Sequence, residues 1–327
     1  MYYYTIFLSV VAAIGGFLFG YDTAVISGTI SQVSAQFGLD SIQTGWYVGC
    51  ALVGSIIGVS FAGILSDHLG RKNSMFSSAV LFTVSAAGCA IATSFNGLVI
   101  YRMIGGMGIG VASIVSPVYI SEISAAKHRG SMVSLYQLAI TVGFLAAYLV
   151  NYLLLDFSDS RIFSSPLLNK IFNTEVWRAM LGMETFPAFL FIIMIFFVPE
   201  SPRWLILKNR IEKSRSIIYR IHKDRKDADN EINTIRESTT GDTKSEWALL
   251  LKPGIFKAVI IGVAIAMLGQ FMGVNAVLYY GPTIFEESGL SKGDSLFYQV
   301  MVGLVNMGTT VIALLIIDKV GRKKLVY

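Results

Sequence analysis

Apolar residues in this chain fall into eight long runs, near 5–28, 45–65, 74–93, 98–120, 131–153, 178–198, 255–281 and 297–317. A hydrocarbon layer takes about 20 helical residues to cross, so each run predicts a membrane-spanning helix, numbered here spans 1 to 8. Several carry glycine pairs such as Gly54-x-x-x-Gly58 and Gly106-x-x-x-Gly110, a spacing that lets helix backbones approach closely. The stretch from Ser201 to Lys252 is different in kind. It is rich in charge, with Ile211, Ile217, Ile218, Ile221, Ile232 and Ile235 at roughly helical spacing. That pattern predicts short amphipathic helices at a membrane face. A basic membrane-binding or partner-docking arm is the alternative, and the run at 223–229 reads as a solvated linker.

Charge then orients the spans. Most of the 26 Lys and Arg fall after spans 2, 4, 6 and 8: Arg71 and Lys72, Lys127 and Arg129, the 199–257 stretch, and Lys319 with Arg322, Lys323 and Lys324. The opposite loops hold only Arg161, Lys170, Arg178 and Lys292. Basic loops stay inside, which predicts a cytoplasmic N-terminus and needs no nucleic-acid partner to explain the net charge of +5.

Composition agrees with a polytopic membrane protein: 54% hydrophobic and only 14% charged, where soluble domains carry about 25% charged residues. Cys50 and Cys89 sit inside apolar runs and read as packing residues. The N-terminus has no basic segment of the signal-peptide kind, so span 1 is expected to remain as a helix.

One internal echo stands out. Asp67-His-Leu-Gly70-Arg71-Lys72 follows span 2, and Asp318-Lys-Val-Gly321-Arg322-Lys323 follows span 8. If span 8 repeats span 2, the repeat unit is six spans, and repeated halves are a transporter signature. The expected architecture is therefore an all-α membrane protein with eight transmembrane helices present of twelve. Its parts would be a six-helix bundle (1–198), a cytoplasmic linker (199–254) and the first two helices of a second bundle (255–327).

Three ionisable residues fall within spans: Asp22, Arg102 and Glu184. At ~1.5 Å per residue, Asp22 lies in the outer half of span 1. Arg102 is about one turn into span 4 from the outside, and Glu184 is within roughly two turns of the start of span 6. All three share a layer. An Asp22–Arg102 pair would offset desolvation. It reads either as a structural ion pair, with Arg102 alternatively snorkelling outward, or as a proton site with Glu184 as a relay.

Spans 5, 7 and 8 contribute Gln137, Gln270, Asn275, Tyr279 and Asn306, whose amides and hydroxyl both donate and accept, as sugar hydroxyls require. Phe19, Phe271 and Tyr280 are candidates to cover apolar sugar faces. Interhelical hydrogen bonding is the alternative use for such side chains. Asp67, Arg71, Glu122, Arg129, Glu200 and Arg203 sit at cytoplasmic helix ends, where they either set topology or form a latch of ion pairs. Nothing supports an enzyme or a cofactor: there is no P-loop, HExxH, G-x-S-x-G or metal-spaced Cys/His cluster.

These motifs resemble the sugar-porter family of the major facilitator superfamily. The likeness rests on FGYDTAVISG (19–28), the Asp67–Lys72 motif, YRMIGGMGIG (101–110), PVYISEISAAKHRG (117–130), PESPRW (199–204), QFMGVNAVLYYGP (270–282) and DKVGRK (318–323). Within the family the chain looks most like bacterial D-xylose/proton symporters. The resemblance implies a rocker-switch carrier of the inner membrane, with a monosaccharide and a proton as its partners and the lipid bilayer as its solvent. Asp22 would accept the proton, with Arg102 as its partner and Glu184 as an accessory acid. Gln137, Gln270, Asn275, Tyr279 and Asn306 would contact the sugar. Asp67, Arg71, Glu122, Arg129 and Glu200 would form the cytoplasmic gate. Gly269 stands where the family usually has the first of two glutamines, which removes one sugar hydrogen bond, and the missing spans leave the sugar site open. The expected function is proton-coupled sugar import, with a facilitative uniporter or a non-transporting sugar sensor as alternatives.

Overall fold

The computed structural model describes residues 2–125, 128–160, 165–221, 228–230, 232–233 and 253–320, with no side-chain detail at residues 2, 159, 167, 253 and 317–320. All eight expected spans are present as helices long and apolar enough to cross a membrane. Lys127, Arg161, most of the 223–229 run, Ile235 and the second Gly-Arg-Lys motif lie outside the described residues.

Helices α1 (Tyr2–Val25), α3 (Ser41–Leu69), α4 (Arg71–Ile91), α5 (Phe95–Ile123) and α6 (Arg129–Ser160) form spans 1 to 5. A short helix, α2 (Ile30–Phe37), caps span 1 on the face opposite the basic loops. Span 6 is broken into α7 (Trp177–Gly182) and α8 (Thr185–Phe196). The cause is Pro187, which has no N–H for the carbonyl of Met183 four residues back. Then come α9 (Pro202–Leu207) and α10 (Ile211–Ile221), the short helices expected in the linker, with Ile218 buried beside Ala228 and Ile232. Span 7 is also divided, into α11 (Pro253–Phe271) and α12 (Val274–Glu287), around Gly273 at φ +75°. Span 8 is α13 (Lys292–Val320).

Caps explain several boundaries. Asp40 accepts from the Gln43 amide while the Gln43 side chain accepts from the Asp40 amide, a reciprocal cap that starts α3. Ser94 caps α5 in the same position, and Gly38, at φ +61°, ends α2 in the left-handed region.

The strongest packing is α3 on α5 and α1 on α6. The glycine pairs account for the first. A Cβ on Gly54 would stand 2.1 Å from the Met103 carbonyl oxygen, and one on Gly106 would stand 2.0 Å from that of Ala51. Gly58 and Gly110 are equally tight, against Met107 and Ser55. The two helices meet backbone to backbone, so any side chain at these positions must push them apart. Gly20 and Gly143 do the same between α1 and α6. Large apolar side chains such as Phe61, Phe186 and Phe189 are exposed, as a lipid-facing surface requires. All of α11 that is described in side-chain detail is exposed. Between the halves, α13 packs on α6.

Candidate functional site

A cavity of about 750 Å³ opens between α1, α3, α5 and α6 on one side and α11, α12 and α13 on the other. Asp22, Arg102, Gln137, Gln270, Asn275, Tyr279 and Asn306 all line it. Seven of the expected residues, from six different helices, thus converge on one space. Phe19 joins them, whereas Phe271 and Tyr280 are not in its wall, Phe271 being 80% exposed.

Asp22 and Arg102 meet directly: Arg102 Nη1 donates to Asp22 Oδ1 at 2.7 Å and to the Asp22 carbonyl oxygen at 3.2 Å. Each side chain is only 2% exposed, so the ions compensate one another where water scarcely does. Gly105 seats α5 closely against Ser85 of α4 beside the pair. A Cβ there would come within 2.5 Å of Ser85 Oγ and 3.4 Å of Asp22 Oδ1. Among the described residues Arg102 Nε is buried without a partner, so the guanidinium keeps bonding capacity in reserve. Glu184 is equally buried and stands beside both, at the break that Pro187 makes in span 6. It does not reach the cavity wall.

On the amide side, Asn275 Nδ2 donates to Gln270 Oε1 at 2.7 Å across the division of span 7. Four hydroxyl residues that sequence reasoning passed over also line the cavity: Thr23, Ser55, Thr141 and Thr310. Their signal is weak, since hydroxyls in membrane helices commonly bond their own backbone. Thr23 does so to the Phe19 carbonyl at 2.6 Å and Thr310 to that of Asn306 at 2.8 Å.

At the face of the basic loops, Arg71 reaches Glu122 through two nearly parallel bonds, Nε to Oε2 at 3.0 Å and Nη2 to Oε1 at 3.1 Å. It also reaches Asp67 at 3.4 Å. Glu200 Oε1 accepts from the backbone amides of Arg71 (2.9 Å), Lys72 (3.1 Å) and Ser201 (2.8 Å), with the N-terminus of α4 behind two of them. Burial nonetheless pushes the Glu200 carboxyl above the usual glutamate range, against the pull of those amides and of Arg71. Arg129 and Arg203 are exposed and stay outside this network.

The opposite face carries a cluster that the sequence did not announce. Trp177 donates from Nε1 to Gln36 Oε1 at 2.6 Å and from its backbone amide to Gln32 Oε1 at 3.1 Å, tying α2 to α7. Arg178 pairs with Glu175, donates to the carbonyls of Ala90 and Ala92 at the end of α4, and lies over the Trp177 ring.

The family model for "Sugar (and other) transporter" matches residues 8–327. The chain belongs to this sugar transporter family. It is 38% identical over 315 residues to the D-xylose transporter of Levilactobacillus brevis, covering 96% of this chain and 65% of that protein. It is 37% identical over 348 residues to the D-xylose-proton symporter of Escherichia coli (98% and 68%). Among solved structures, the proton:xylose symporter XylE bound to 6-bromo-6-deoxy-D-glucose superposes with a TM-score of 0.84 at 37% identity, over 98% of this chain and 71% of XylE. The chain spans about two thirds of the length of the curated relatives it matches. Its fold is that of the major facilitator superfamily, and it is a multi-pass membrane protein of a transporter family.

Proposed function

We propose that this protein imports a sugar together with a proton by alternating access. One observation carries the reading: the buried Asp22–Arg102 pair is itself part of the wall of a cavity whose other polar lining consists of amides and hydroxyls set among apolar side chains. A purely structural pair needs no such place. Neutralising Asp22 removes the charge to which the Arg102 guanidinium is bound, so proton arrival and rearrangement of the sugar-facing wall become one event. Glu184 beside them is the accessory acid. Gln137, Gln270, Asn275, Tyr279 and Asn306 hold sugar hydroxyls.

The basic loops lie in the cytoplasm, and the Arg71–Glu122–Asp67 ion pairs with the Glu200 amide contacts form the inner latch, which breaks as that side opens. Arg129 acts there only in a conformation that draws it in. Relatives are named for xylose, glucose, arabinose and galactose, which supports a monosaccharide as substrate. In a uniporter or a sensor Asp22 would serve only as the counter-ion of Arg102, which does not account for its place in the cavity wall, and a transporter of this kind performs no enzymatic chemistry.

The test is sugar-driven alkalinisation of the external medium around proteoliposomes, run with xylose, glucose, galactose, arabinose and inositol. Wild type is expected to take up protons with one or more of these sugars and to accumulate sugar against its gradient. Asp22→Asn is expected to lose accumulation. Equal accumulation by both proteins would overturn proton coupling at Asp22.

A further inference from the structure

Pro282 lies inside α12 and has no N–H, so the carbonyl of Leu278, four residues earlier, lacks its helical donor. Two side chains from other helices supply donors instead. Tyr148 of α6 donates its hydroxyl to that oxygen at 2.9 Å, and Gln299 of α13 donates Nε2 to it at 3.1 Å. Both side chains are buried, Tyr148 1% and Gln299 1% exposed.

Two glycines bring these groups together. A Cβ on Gly281 would stand 2.0 Å from Gln299 Oε1, and a Cβ on Gly303 would stand 2.8 Å from the Tyr148 ring. Small residues thus seat α12 and α6 against α13 where the freed carbonyl lies. Tyr148 belongs to the first bundle, whereas Leu278 and Gln299 belong to the second. The oxygen is therefore a junction between the halves, in the part of the membrane away from the basic loops. Leu278 and its neighbour Tyr279 both line the cavity.

We propose that Tyr148 and Gln299 are positioning residues that hold the outer half of span 7 closed over the cavity by capping the Leu278 carbonyl that Pro282 frees. Opening toward the outside draws α12 off Tyr148. This inference rests on the alternating-access reading, yet the test contains no sugar. A failure to transport sugar leaves it standing, and its own failure leaves sugar transport untouched.

The experiment uses reconstituted protein with Cys50→Ala and Cys89→Ala and one reporter, Thr23→Cys, in the cavity wall. A membrane-impermeant thiol reagent is applied from either side. Tyr148→Phe keeps the ring and removes the donor, so the outside labelling rate is expected to rise roughly two- to tenfold, the weight of one net hydrogen bond. The inside rate is expected to fall. Gln299→Met is expected to shift both rates the same way. Pro282→Ala gives the Leu278 carbonyl its helical donor back, and in that background the Tyr148→Phe effect should shrink below about twofold. Unchanged outside labelling in both Tyr148→Phe and Gln299→Met would overturn the proposal. So would a rise from both sides, which marks general loosening, or an undiminished Tyr148→Phe effect beside Pro282→Ala.

Discussion

Arg102 Nη1 lies 2.7 Å from Asp22 Oδ1, and neither side chain is more than 2% exposed. Residues 80 positions apart in the chain thereby form a buried ion pair in the middle of an apolar bundle. Such a pair is a weak source of stability as a unit, but leaving one ion alone costs about 3–5 kcal/mol.

Arg102→Met should therefore destabilise the protein strongly, and adding Asp22→Asn should restore much of the loss. Thermal unfolding of the two single variants and the double variant in detergent gives the coupling directly. Strict additivity of the two substitutions would show that the pair is not the unit described here.

The α3–α5 seam makes an independent prediction. Gly106→Val places branched bulk where a single Cβ already falls 2.0 Å from a backbone oxygen, so the helices must separate. Overpacking of this kind costs about 1–3 kcal/mol or more, and a lower unfolding temperature with reduced yield is expected. Gly49→Ala, on α3 with nothing within 4 Å, is the matched control and should be close to neutral. Equal behaviour of the two would remove the seam from the account.

Acid should selectively weaken the Glu175–Arg178 contact. Burial raises the Glu175 carboxyl, but the bonds from Arg178 and Gln36 and the charges of Arg178 and Lys170 outweigh it, leaving it below the ordinary glutamate value of 4.5. A carboxyl depressed on folding contributes stability that is present above its unfolded pKa and fades as pH falls through the lower folded value. Glu175→Gln should thus lower the unfolding temperature at pH 7, with the gap to wild type closing as pH drops below about 4.5. A gap that stays constant or widens on acidification would contradict this sign.

Much of this molecule is local information. Eight spans follow from the lengths of the apolar runs, because crossing a hydrocarbon layer is a property of each segment by itself. The layer shared by Asp22, Arg102 and Glu184 follows from counting residues along helices of known rise. The four amides and Tyr279 of spans 5, 7 and 8 stand out because polar side chains are costly in apolar runs. Even the glycine pairs pointed to close helix contact, though not to which helix.

Non-local facts needed the fold. Gln32, Gln36 and Trp177 are ordinary residues until α2 lies against α7, and Arg178 reads as one more loop charge until it reaches the carbonyls ending α4. Arg129 shows the reverse: its charge at a helix end suggested the latch, yet the turn of α6 leaves it exposed.

The opening pattern of apolar runs thus determined by itself how many helices there are and which residues pay a desolvation penalty within them. Shared depth already suggested Arg102 as the counter-ion of Asp22, but only the tertiary structure decided which atoms meet and who else relieves that penalty. The donors to the carbonyl that Pro282 frees are chosen by how closely separate helices approach, and Gly281 and Gly303 make those approaches possible.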